Sequence, residues 1–134
     1  MGLMVDTNVF ISFEKSAKAI DLSAWEQSET VYISVVTASE LLMGVCRANT
    51  EERKKRRSAF VEAVIAGVGV LDFTIGAARI HAEIFAELAT KGQLIGAHDM
   101  MIAATARHHD LSILTENVDE FSRVTGLHVI PFVR

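Results

Sequence analysis

Leu3-Met4-Val5-Asp6-Thr7-Asn8-Val9-Phe10-Ile11 is where the chain declares its fold. Leu3 to Val5 is an apolar run too short for a buried helix and long enough for a strand covered on both faces. Three polar residues follow together, and then apolar residues return at helical spacing (Val9, Phe10, Phe13, Ala17). A buried strand therefore ends at Val5, with a carboxylate at its carboxyl end and a helix starting beside it. In open α/β sheets, ligands bind in the crevice beyond those strand ends. Asp6 reads equally as the cap of the helix and as one arm of a metal or acid/base site. The local sequence leaves the two open.

Working outward, the same alternation repeats. Asp21 to Glu29 reads as a short helix around Leu22 and Trp25, and Val31-Tyr32-Ile33-Ser34 as a second strand. A helix then runs to Cys46, with Thr37 as its expected cap and Glu40 near its third residue, where a capping-box glutamate would stand. Asn49-Thr50-Glu51-Glu52 opens the next helix with a cap and first-turn acids. It carries five consecutive bases, Arg53 to Arg57, which read as a solvated face or as a phosphate-contacting edge. Val70 to Phe73 is a third strand, and Thr74 caps a long helix from Ile75 to about Thr90. His98 to Ala106 is apolar nearly all round, which marks a buried helix with Asp99 at its amino end. Leu111 to Leu114 and a last short strand ending near Pro131 complete the pattern.

Strands alternating with helices specify an α/β fold: a three-layer α/β/α sandwich with a mostly parallel central sheet. Its parallel strands then share one carboxyl edge. The 134 residues form a single domain, 1–134, without repeat or linker. Half of them are hydrophobic and 22% are charged, which argues against disorder. A net charge of −4 advertises no general nucleic-acid binder, though a nuclease built on clustered acids is compatible with it. One cysteine, Cys46, fits a reducing compartment. No apolar run spans a membrane, and the start shows neither a secretory pattern nor a myristoylation site. A cytoplasmic protein without membrane contact is expected.

At the shared edge the polar residues collect: Asp6 after strand one, Glu40 after strand two, Asp99 at the buried helix's mouth, and Asn117 after strand four. Asp119 and Glu120 follow close behind. Crowded carboxylates raise one another's pKa, and a hard divalent cation resolves the conflict with oxygen ligands and several retained waters. Oxygen-only donors argue against zinc, since His98, His108 and His109 have neither cysteine partners nor HExxH spacing. Walker-type, GxGxxG-helix and GxSxG patterns are absent. An aspartyl-phosphate phosphatase or signalling domain is a rival, weakened because Asn8 stands where a second aspartate belongs.

Val5-Asp6-Thr7-Asn8, Ser34 to Gly44, Gly96 to Ala104 and Leu114 to Phe121 together resemble the four signature segments of PIN domains. Their order and spacing are similar to those of the VapC ribonuclease toxins of bacterial toxin–antitoxin pairs. The resemblance implies a metal-dependent endoribonuclease in which Asp6, Glu40 and Asp99 hold Mg²⁺ or Mn²⁺. Asn117, Asp119 and Glu120 compete for the fourth position. It further implies single-stranded or looped RNA as substrate, a small antitoxin as partner, and a homodimer. A catalytically silent binding module of the same fold is the other class to separate.

Overall fold

The computed structural model describes residues 2–16, 21–26 and 30–133. Ala17 and the Trp25 side chain, placed on apolar faces from sequence, lie outside the described residues, as do positions 18–20 and 27–29. The elements are β1 (Gly2–Val5), α1 (Thr7–Lys15), α2 (Ser23–Glu26), β2 (Thr30–Ser34), α3 (Val35–Cys46) and α4 (Glu51–Gly67). They continue with β3 (Gly69–Leu71), α5 (Ile75–Thr90), α6 (Ala97–His108), β4 (Ser112–Thr115), α7 (Val118–Phe121) and β5 (Val129–Pro131).

The strands pair in the order β3-β2-β1-β4-β5, and each pairing is parallel. β1 is central and wholly buried, which is why its sequence is continuously apolar instead of alternating. Its side chains divide between two cores. Met4, with Ile113 of β4, packs under α5 and α6 against Ile84, Leu88, Ile102 and Ala103. Leu3 and Val5, with Ile33 and Leu114, pack under α1, α3 and α4 against Phe10, Leu41, Val61 and Val64. The three layers read from the sequence are present.

Three boundaries differ from expectation for physical reasons. β2 passes into α3 with no loop, so Ser34 is both the last strand residue and the N-cap, accepting from Val36 N at 3.0 Å. Thr37 is therefore no cap, and Glu40 stands in the helix's second turn, beyond reach of a capping box. β3 covers Gly69 to Leu71, not Val70 to Phe73. It begins at a glycine because a Cβ there would meet the Tyr32 ring at 2.7 Å. β4 includes Thr115, one residue further than its apolar run. Among the described residues, no helix is long and apolar enough to cross a membrane.

Candidate active site

The chain leaves β1 towards β2 on one side and later returns to β4 on the other, so the strand order reverses between β1 and β4. This is the switch point at which α/β sheets place their ligand crevice. Asp6 sits there, with only 3% of its surface exposed. Its Oδ1 accepts from Thr7 N at 2.8 Å and its Oδ2 accepts from the Thr115 hydroxyl at 2.7 Å, across the crevice from β4. Asp6 is thus the N-cap of α1 and also a crevice carboxylate. A carboxylate has about four acceptor positions, so the cap leaves room for a ligand.

Thr115 is fully buried, and its bonds fix which way its one proton points. Its oxygen receives Asn117 N at 2.9 Å and Asn8 Nδ2 at 3.4 Å. Asn8 must turn its amide this way because its Oδ1 accepts from Glu116 N at 3.2 Å. With both lone pairs taken, the hydroxyl is left to donate to Asp6. Replacing Thr115 with Val keeps the shape and strands two donors, and we expect a loss of about 1–3 kcal/mol. Thr115→Ser should restore it in thermal melts.

Glu40 reaches the site from α3. Its Oε1 accepts from the Thr7 hydroxyl at 2.6 Å, and its Oε2 lies 3.3 Å from His98 Nδ1. Thr7 Oγ1 is also 3.1 Å from Thr37 Oγ1, and this buried contact is what Thr37 does in place of capping. Asp99 stands in the first turn of α6, a buried helix as expected. Asn117 carries no charge into the crevice. Its Nδ2 donates to Glu120 Oε2 at 3.0 Å, so it orients Glu120, and Glu120 is the acid within electrostatic reach of Asp99. Asp119 is exposed.

These groups sense one another. Burial pushes the Asp6 carboxyl up to about 6, against the lowering bonds from Thr115 and the Thr7 amide, with Glu40 and Glu116 adding repulsion. Burial likewise lifts Asp99 to about 6, and Asp6, Glu120 and Glu40 raise it further. His98 and Asn8 are the members a sequence reading does not single out. The signal for Asn8 was its place beside Asp6, and for His98 its place beside Asp99.

The donor set suits a hard cation: Asp6, Glu40, Asp99 and Glu120 are carboxylates, with the His98 imidazole beside Glu40. Among the described residues, no three His, Cys, Asp or Glu side chains close round a single point. Asp6 and Asp99 are the candidates for direct contact, with Glu40 and Glu120 alongside.

Fold and site together define an α/β domain with an acid-lined crevice at its topological switch point. Comparison with known proteins makes this specific. The chain belongs to the PIN domain family, which matches residues 3–127. It is similar to Ribonuclease VapC1 of Rickettsia felis (38% identical over 130 residues, 97% of this chain and 96% of that protein). It is similar, too, to the tRNA(fMet)-specific endonuclease VapC of Shigella flexneri (37% over 128 residues, 95% of each). Among solved structures, the DNA-bound VapBC of Salmonella typhimurium superposes with a TM-score of 0.84 at 32% identity, over 98% of both chains.

Proposed function

We propose that this protein is a metal-dependent endoribonuclease acting as the toxin of a toxin–antitoxin pair. The observation that carries the reading is the meeting of Asp6, Glu40, Asp99 and Glu120 from distant parts of the chain at one crevice, two of them lifted to about 6. The near full-length relatives named ribonucleases support it.

Asp6 and Asp99 would hold Mg²⁺ or Mn²⁺ and Glu40 would orient a water beside it, while Thr115 keeps the Asp6 carboxylate in one orientation. The bound ion supplies a water of lowered pKa and charge compensation for the phosphate. An acid-lined crevice cannot grip a duplex broadly, so single-stranded or looped RNA is the substrate. The test is incubation with total RNA, with and without Mg²⁺, followed by mapping of new ends. Metal-dependent cuts lost in Asp6→Asn support the enzyme. RNA binding without cuts would make it a silent module, and phosphoryl transfer to Asp6 from a small phosphodonor would make it an aspartyl-phosphate domain.

The protein is cytoplasmic, dimeric and inhibited by a small antitoxin. The apolar residues of α1 and α3 divide in the structure. Phe10 is core, and Phe13 packs on Phe132 with ring centroids 5.6 Å apart. Leu42 and Met43 stay on the surface, 41% and 46% exposed, because α3 turns Ala38 and Leu41 inward. With Val35 they line an open apolar concavity of about 490 Å³, suited to an amphipathic helix. Co-expression of the neighbouring small gene should restore growth, and Leu42→Asp with Met43→Asp should abolish the rescue while leaving toxicity. Rescue that survives both substitutions removes this face from the interface.

A further inference from the structure

We propose that the groove between α1, α3 and α4 holds the sugar–phosphate backbone of single-stranded RNA beside the cleaved bond, with Lys15 and Arg47 as phosphate contacts. The inference rests on the ribonuclease reading above and names the path its substrate takes.

A protein of net charge −4 with four carboxylates in its crevice repels a polyanion. RNA can approach such a site only where cations offset that field locally. One concavity meets the requirement next to the acids. It encloses about 270 Å³ and is lined by the cations Lys15, Arg47 and Arg57, the carboxylates Glu14 and Glu40, and the apolar Ile11, Leu41 and Val61. Glu40 belongs to both places: its carboxylate contacts Thr7 and His98 in the crevice, and the residue also lines the groove. A strand leaving the acids past Glu40 therefore enters the groove directly.

The cations there differ in their freedom. Arg57 is tied down, its Nε 2.9 Å from Glu14 Oε1 and its Nη1 donating to Gly44 O at 3.0 Å. Three of its five N–H groups remain for other acceptors. Lys15 and Arg47 end α1 and α3, are exposed, and form no ion pair among the described residues. Ile11, 40% exposed, offers an apolar surface for a ribose or base face.

This also divides the run of bases from Arg53 to Arg57. Arg53 bonds Asn49 Oδ1 at 2.9 Å, and Lys55 and Arg56 are exposed. Only Arg57 lines the groove. Arg53, Lys55 and Arg56 form a solvated face, and Lys54 is half-buried outside the groove. Glu14 neutralises Arg57, so Lys15 and Arg47 are the cations left to meet a ligand beside the acids, and this local charge favours a polyanion.

The test is fluorescence anisotropy of a labelled single-stranded oligoribonucleotide, in EDTA so that nothing is cut, over a range of salt. The wild type is compared with Lys15→Gln/Arg47→Gln and with Arg53→Gln/Lys54→Gln/Lys55→Gln/Arg56→Gln, all checked by circular dichroism. Losing two phosphate contacts should flatten the slope of log K against log salt by about 1.4 and weaken binding about 10-fold or more at low salt. The fourfold variant should keep the wild-type slope. An unchanged slope in the double variant, or the loss appearing in the fourfold variant, overturns the groove. Metal-dependent cleavage of total RNA by the wild type is scored separately. If cleavage is present while the double variant binds normally, the groove alone fails, whereas a wild type that neither cuts nor binds RNA overturns the ribonuclease reading beneath it.

Discussion

Asp99→Asn abolishes RNA cleavage and raises the melting temperature of the metal-free protein. The two effects have one cause. Asp99 is a carboxylate that burial and its neighbours Asp6, Glu120 and Glu40 hold up at about 6. At neutral pH it is ionised against that resistance, so the fold carries a repulsion which an amide of the same shape removes. Because the side chain is only partly buried, solvent screens some of this and the gain is modest, about 2–5 °C. Activity moves the other way. An ion that stabilises the transition state by several kcal/mol corresponds to about 10³-fold in rate, and an amide is a poor substitute for an anionic ligand.

Asp99 is a cleaner probe than Asp6. An amide at Asp6 would point its NH₂ at Thr115 Oγ1 or at Thr7 N. Thr115 already accepts from Asn117 N and Asn8 Nδ2, and Thr7 N is itself a donor. Either orientation sets donor against donor, so Asp6→Asn loses activity together with some stability. Nuclease assays beside calorimetry decide the matter. If Asp99→Asn melts well below the wild type, Asp99 is a structural residue and the crevice has been misassigned.

The layers are legible in the sequence because they follow from short-range pattern, as does the gathering of Asp6, Glu40 and Asp99 towards one edge of the sheet. A continuous apolar run bounded by Asp6 can only be a doubly covered strand, and a helix apolar on every side can only be buried. What depends on tertiary contact is not legible there. Thr37 looks like a cap, since Ser, Thr, Asp and Asn all serve in that role. Nothing local reveals that Ser34 has already turned the chain, or that Thr37 meets Thr7 thirty residues away. The competition among Asn117, Asp119 and Glu120 has the same origin. Asn117 precedes a one-turn helix that carries Asp119 and Glu120, and nothing local shows that Asn117 donates to Glu120 while Asp119 is exposed. The basic run is another such case, because Glu14 and Gly44 select Arg57 from five similar side chains.

The stability of the metal-free protein should fall as pH rises from about 4 to 7, opposite to the behaviour of a protein held by ion-paired acids. Asp6 carries most of this. Its carboxyl titrates near 3.8 when unfolded and at about 6 when folded. Between those values the folded state binds the extra proton, so the slope of unfolding free energy with pH is negative. The stabilisation is fully present below about pH 4 and is lost by about pH 7. For a group with 3% exposure, a difference of this size corresponds to roughly 2–3 kcal/mol, or a fall in melting temperature on the order of 10 °C. Asp99 adds to it with the same sign. Asp21, held low by the Ser23 hydroxyl, and Glu87, held low by Thr125, act oppositely and lose stability as pH falls. Comparing wild type with Asp99→Asn across pH cancels their contribution, and the variant's curve should fall less steeply. Millimolar Mg²⁺ should then raise the melting temperature at pH 8 and have little effect at pH 5, because ligation requires both aspartates ionised. A metal-free curve that is flat or rises between pH 4 and 7 would show that these carboxylates are not the buried, mutually repelling pair on which the ion's site depends.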